Sequence, residues 1–251
     1  MRNLLLTIKY KGTRYHGWQI QKNALTVQEI FQKALTKILT EQVNIKACSR
    51  TDTGVHANRF CISFKTNSKI KEHKLVLALN NNLPFDIAVL SCVAVNDDFH
   101  ARYNTCAKRY IYKIHNSKIK DPFLENLALF YPYKLDEKLL NKAAKKFIGT
   151  YNFKGFCSIK NDIKDTVRTI YSCNVTKTDE IVTVSITADG FLYNMVRIII
   201  GTLLFVAMGK ILSEDIEAII KSGIRKKAGF TAPAEGLYLD KVFYNDDFLM
   251  S

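Results

Sequence analysis

The chain has 251 residues, 47% hydrophobic and 24% charged, enough apolar content to bury a core and too little compositional bias for a disordered tail. Its 37 Lys and Arg against 23 Asp and Glu leave a net charge of +14. A surplus of that size attracts polyanions, because each neutralised phosphate releases condensed counterions, so nucleic acid leads as partner with an anionic membrane surface as its rival. The six cysteines contain no Cys-x-x-Cys pair and the five histidines have no metal-ligand spacing, so the pattern offers no metal site. Leu4-Leu5-Leu6 is too short for a signal-peptide core, and the run Ile198 to Met208 falls short of a membrane span. The chain reads as cytoplasmic, with reduced thiols used mostly as small core residues.

In chain order, Leu4 to Tyr10 reads as an opening strand, followed by the turn-rich stretch from Lys11 to Gln19. Thr26-Val27-Gln28-Glu29 has capping-box spacing, and Val27, Ile30, Phe31, Ala34, Leu35 and Ile38 recur at helical intervals, which predicts a helix over 27–39. Val43 to Cys48 and Phe60 to Lys65 alternate with period two and predict two half-buried strands. The loop between them, Ser49-Arg50-Thr51-Asp52-Thr53-Gly54-Val55-His56, gathers an arginine, a carboxylate, a glycine and a histidine. From residue types alone, an Asp here serves either a local Asx-turn or chemistry.

Lys74 to Leu83 predicts a second helix and Ile87 to Val95 a strand. The next strand, Lys108 to Ile114, carries Lys108, Tyr110 and Tyr112 on one face and Arg109, Ile111 and Lys113 on the other. Such a face suits base stacking next to phosphate, or equally an ordinary strand with snorkelling lysines. After a connection over 116–134, Asp136 to Phe147 reads as a helix. Thr166 to Val175 and Ile181 to Thr187 read as strands separated by a turn at Thr176 to Glu180. Arg197 leads into the apolar helix 198–208, where a guanidinium needs an anionic partner, structural or catalytic. Ser213 is placed to N-cap a last helix that Gly223 ends, and Thr231 to Leu239 leads into the closing strand. Strands and helices alternate through both halves with no linker between them, which points to two subdomains sharing one sheet.

Several segments together resemble the bacterial TruA family of tRNA pseudouridine synthases. They are Tyr10-Lys11-Gly12-Thr13 with Gly17-Trp18-Gln19, Thr26-Val27-Gln28-Glu29, and Arg50-Thr51-Asp52-Thr53-Gly54-Val55-His56-Ala57. The series continues with Phe99-His100-Ala101-Arg102-Tyr103, Arg109-Tyr110-Ile111-Tyr112, Phe191 to Arg197, and Ala232-Pro233-Ala234-Glu235-Gly236-Leu237. The resemblance implies an α/β (α+β) pseudouridine synthase core, two ferredoxin-like halves sharing a central, mainly antiparallel sheet flanked by helices. Residues 1–104 form the half with the catalytic Asp loop, and 105–251 the half that completes a basic RNA cleft. It further implies Asp52 as the catalytic carboxylate, Tyr110 as the ring on the target uracil, and Arg197 as the partner of Asp52. Arg50 helps hold the target nucleotide out of its stack, and Arg14 and Arg109 are implied substrate contacts. The expected substrate is uridine at positions 38 to 40 of the tRNA anticodon arm, taken by base flipping. The family works as a homodimer without cofactor or metal. Two alternatives stand beside this reading: a non-catalytic RNA-binding or RNA-chaperone protein on the same scaffold, and the same chemistry on ribosomal or several RNAs.

Overall fold

The computed structural model describes residues 1–158 and 165–245, and the chain divides into two units: residues 1–106 with 238–245, and 107–158 with 165–237. Both are mixed α/β, with a mainly antiparallel sheet flanked by helices.

In the first unit β1 (Arg2–Tyr10) buries Leu4, Leu6, Ile8 and Tyr10, the period-two set visible in the sequence. α1 (Val27–Leu39) has the predicted limits, and Thr26 Oγ1 accepts the Glu29 N–H at 3.4 Å. Only half of the expected capping box forms, because the Glu29 carboxylate engages Lys33 one turn on, at 2.6 Å. β2 is two residues, Lys46–Ala47, where a longer strand was expected. β3 (His56–Thr66) is buried without interruption from Phe60 to Phe64, so it is not half-buried. It lies between β1 and β2, and its second face is covered too: Ser63 Oγ accepts the Ala101 N–H at 3.0 Å.

α2 (Glu72–Asn82) is fastened to the edge strand β4 (Ile87–Val95) by Asn80, whose amide accepts from Val89 N at 2.8 Å and donates to Val89 O at 3.0 Å. β4, β1, β3 and β2 lie side by side in that order, all antiparallel, with β1-α1-β2-β3-α2-β4 along the chain. This is the ferredoxin-like arrangement. The closing strand β10 (Leu237–Phe243) returns to this unit and runs parallel to the start of β3, Tyr238 beside His56 and Leu239 beside Ala57.

The second unit aligns β5 (Ala107–His115), β9 (Ile181–Ala188), β8 (Val167–Thr178) and β7 (Gly149–Asn152) in that order, antiparallel throughout, with β6 (Leu129–Phe130) parallel to β5. β8 continues to Thr178, so the turn expected over 176–180 shrinks to Asp179 and Glu180, with Asp179 at φ +52°. α3 (Glu137–Lys145) is capped by Asp136, which accepts the Leu139 N–H. α4 (Met195–Ala207) is buried almost all round, as a helix with no polar stripe must be. Ser213 does not cap the last helix: it is buried at the start of a 3-10 turn, and α5 (Ile216–Ser222) follows, closed by Gly223 at φ +62°. No helix among the described residues is long and apolar enough to cross a membrane.

Candidate active site

Asp52 and Arg50 sit on the loop that enters β3, and the segment 10–18 clamps that loop from beneath. Tyr10 shares a buried hydrogen bond with Thr51, hydroxyl to hydroxyl at 2.8 Å, and Trp18 N–H donates to Thr51 O at 3.2 Å. Gly54 N–H donates to Tyr15 O at 3.2 Å, and Gly12 N–H to His56 Nδ1 at 2.9 Å. Val55 N–H donates back to Asp52 O at 3.1 Å across a turn whose third residue, Gly54, has φ +79°. Two glycines of the clamp allow this approach. A Cβ on Gly12 would stand 2.0 Å from Val55 O, and one on Gly17 2.3 Å from Thr51 O.

The neighbours of Asp52 are therefore fixed: Thr51 and Val55 are buried, and His56 is 1% exposed and stacked on Tyr238 with ring centroids 4.6 Å apart. Asp52 itself is half-buried and Arg50 exposed. A carboxylate on a loop with so little freedom stays where it is aimed, which is what positional catalysis demands.

Arg14 lies on the same clamp, where its Nε pairs with Asp86 Oδ2 at 3.1 Å. Asp86 is buried and its other oxygen accepts the Tyr15 hydroxyl at 2.7 Å. Burial, then the Asp86 carboxylate, push the Tyr15 phenol up to about 12. Nothing in the sequence marks Asp86, which follows Pro84-Phe85 and reads as a turn residue, yet it holds the two side chains next to the loop.

In the second unit Tyr110 lies on β5, opposite Ile186 of β9, and meets Phe191 edge to face at 5.0 Å. The face with Tyr110, Tyr112 and Ile114 is the core face. Tyr112 is fully buried and donates its hydroxyl to Pro233 O at 2.8 Å, so it is no stacking surface for bases. Tyr110 keeps 7% exposure. Arg109 is half-buried on the opposite face of the strand.

Arg197 occupies the first turn of α4. Its Nε donates to Ala232 O at 2.6 Å and its Nη1 to Asn194 Oδ1 at 2.9 Å, while Ala232 N–H donates to Arg197 O at 3.1 Å. Those bonds use two of the five guanidinium N–H groups and fix the plane of the rest. Asn194, at φ +61°, is itself held by Ser158 Oγ at 2.9 Å. The stretch 229–232 reaches α4 because glycines meet there: a Cβ on Gly201 would lie 1.8 Å from Phe230 O, and one on Gly229 2.2 Å from Gly201 C. Thr202 Oγ1 closes the contact by accepting the Gly229 N–H at 2.8 Å. Arg197 is thus held by local acceptors, and the motif Ala232-Pro233 is explained as its cradle.

The predicted site residues divide between the units, Arg14, Arg50 and Asp52 in the first and Arg109, Tyr110 and Arg197 in the second. Sequence reasoning missed His56, Asp86 and Asn194 as the groups that hold them; His56 and Asn194 lay in segments that carry the family resemblance, and Asp86 in none.

A family model for tRNA pseudouridine synthase matches residues 6–104 and 143–245, segments that include Arg14, Arg50, Asp52 and Arg197. The curated tRNA pseudouridine synthase A of Thermoanaerobacter sp. (strain X514) is 48% identical over 244 residues, 97% of this chain and 100% of that protein. The protein of the same description from Caldicellulosiruptor bescii is 48% identical over 244 residues, again 97% and 100%. That from Staphylococcus aureus (strain MRSA252) is 42% identical over 247 residues, 98% of this chain and 94% of that one. With likeness running through both units and across the Asp52 loop, the chain belongs to the bacterial TruA family of tRNA pseudouridine synthases.

Proposed function

We propose that this chain isomerises uridine to pseudouridine in the anticodon arm of tRNA, at positions 38 to 40, with Asp52 as the catalytic carboxylate. The observation that carries the reading is the rigid presentation of Asp52 by a loop locked to its own N-terminal clamp, in a chain that matches a curated relative along that relative's whole length.

The reaction breaks the N1–C1′ bond, turns the uracil and joins C5 to C1′. The C5 proton is lost and N1 gains one, so nothing is oxidised and no group leaves. The step needs a group that handles electron-poor C1′ or its neighbouring C2′ proton. An ionised carboxylate does either, by attack, by stabilising an oxocarbenium-like centre, or by taking the proton on a glycal route. Enclosing the target nucleotide would strip water from the Asp52 carboxylate and disfavour its charged form; a guanidinium opposes that, and this is the role we assign to Arg197. Tyr110, its ring set by Phe191, is assigned the uracil face and, through its phenol, removal of the C5 proton. A uridine inside a stem is out of reach, so the target is flipped out, with Arg50 holding the opened stack. Arg14 and Arg109 are assigned phosphate contacts, supported by the +14 charge. The reading includes a homodimer acting in the cytoplasm, where its tRNA substrate is.

The test is Asp52→Ala assayed on unmodified tRNA transcripts. Pseudouridine formation is lost while tRNA affinity stays within about twofold, since one exposed-loop carboxylate contributes little to binding a polyanion. Product formation at the wild-type rate would reject the assignment. Mapping pseudouridine in total RNA with and without the protein decides between anticodon-arm uridines and a wider RNA range.

A further inference from the structure

We infer that the first unit carries a second nucleotide-binding subsite, apart from the Asp52 loop, built on Phe85 and the groove beside it. It rests on the reading of the chain as a tRNA-acting protein and adds a contact that reading does not contain. Phe85 stands at the tip of the Leu83-Pro84-Phe85-Asp86 turn, 90% exposed, the most exposed aromatic ring among the described residues. Its ring is not idle. The Arg14 guanidinium lies over it, 5.4 Å from the centroid, and is held there by Asp86. The cation stands beside the ring and leaves most of it open to solvent. An open π-face next to a guanidinium is an arrangement on which an unpaired base stacks.

The turn borders an open groove of about 510 Å³ between the N-terminal clamp, α1 and the end of α2, lined by Arg14, Lys33, Lys37, Asn81 and Asn82 over an apolar floor that includes Leu25. Lys33 and Lys37 are one helical turn apart and both exposed, so both ammonium groups serve the same side of the groove. Of the acids nearby, Asp86 is buried against Arg14 and Tyr15, and Glu29 pairs with Lys33, an exposed bond that a phosphate entering the groove displaces. Cations and amide side chains along the groove, with the exposed Phe85 ring next in the chain to its lining residue Pro84, suit a backbone phosphate with its base, and they do not suit a protein helix, which would want a longer apolar strip. Tyr15 lines this groove and its carbonyl holds Gly54, so RNA seated there touches the frame of the Asp52 loop without touching the carboxylate.

The experiment measures binding of a labelled, unmodified tRNA transcript to protein in the Asp52→Ala background, which removes turnover from the measurement. Phe85→Ala is expected to raise Kd about 5- to 160-fold at every salt concentration, the span of one lost base–aromatic stack, and Phe85→Tyr to restore it. Lys33→Ala with Lys37→Ala is expected to lower the slope of log affinity against log salt by about 1.4 to 1.8, two phosphate contacts' worth. With otherwise wild-type protein the Phe85→Ala loss falls on KM for tRNA. An exposed ring leaves the melting temperature where it was, which separates binding from misfolding. Unchanged Kd in Phe85→Ala together with an unchanged salt slope in the lysine pair overturns the subsite even if pseudouridine is made. Weakened binding in a protein that makes no pseudouridine leaves the subsite standing and removes the enzymatic reading instead.

Discussion

Gly17→Ala is the sharpest test of the idea that the N-terminal clamp positions Asp52. Gly17 has φ +81°, a region that costs a residue with a Cβ about 1–2 kcal/mol, and the new methyl would begin 2.3 Å from Thr51 O. The obstacle is backbone, so no rotamer change relieves it. Thr51 must retreat by about an ångström to reach ordinary contact, and the Trp18 N–H bond to Thr51 O, already 3.2 Å, is lost for about a further 1 kcal/mol. Unfolding stability should fall by about 2–3 kcal/mol. Asp52 follows Thr51 in the chain and moves with it; a displacement of that size costs about 100-fold in kcat/KM. Denaturant unfolding gives the first quantity, and release of label from C5-tritiated uridine in tRNA gives the second. Gly209→Ala supplies the control, because Gly209 has φ +69° with nothing within 4 Å of its absent Cβ. It should show the conformational strain alone and keep its rate. If Gly17→Ala lost no more stability than Gly209→Ala and turned over normally, the clamp would have no bearing on the site.

Two further expectations concern charge. With Arg197 as the partner of Asp52 that we propose, Arg197→Met is expected to cut turnover by about 100-fold, corresponding to about 3 kcal/mol for removing one partner of an ion pair, while tRNA affinity changes far less; equal losses in both would make Arg197 a phosphate contact. Tyr15 and Tyr238 both have phenols pushed from 10.0 up to about 12 by burial, so between pH 10 and 12 the unfolded chain gives up these protons and the folded chain keeps them. The stability they contribute is whole below pH 10 and lost as pH rises through 12, on the order of 2 kcal/mol for Tyr15. Tyr15→Phe should start less stable at neutral pH, having lost the Asp86 bond, and then fall less steeply over pH 10–12 in denaturant titrations; an identical slope would refute the assignment.

Local order was legible where it depends on nearest neighbours. The limits of α1 follow from Thr26 and the spacing of its apolar residues, β4 from an apolar run interrupted only by Ser91, and the close of α5 from Gly223, because caps and periodicity act within one turn or one strand. The cluster Arg50 to His56 was visible as a motif, and the resemblance it carries agrees with the family found. What a side chain faces is a different matter. Tyr110 and Tyr112 alternate as a binding face would, yet the fold buries Tyr112 completely and leaves Tyr110 7% exposed, and β3 reads as half-buried until Ala101 covers its second side. Ser213 looked like a cap because serine is the right residue type, and burial gave it another place.

By itself the sequence determined that this is a basic α/β protein with an Asp-bearing loop between two short-range patterned segments. Only the tertiary structure decided that residues 10–18 hold that loop, that Asp86 stands behind Tyr15 and Arg14, that the stretch around Ala232 cradles Arg197, and that the closing strand lies beside His56. The reason is one of range. Propensity and periodicity are set by residues within a turn or so of each other, whereas each of these contacts joins residues more than 30 positions apart, and two of them, the loop clamp and the Arg197 cradle, close through glycines that matter only for the backbone they let in.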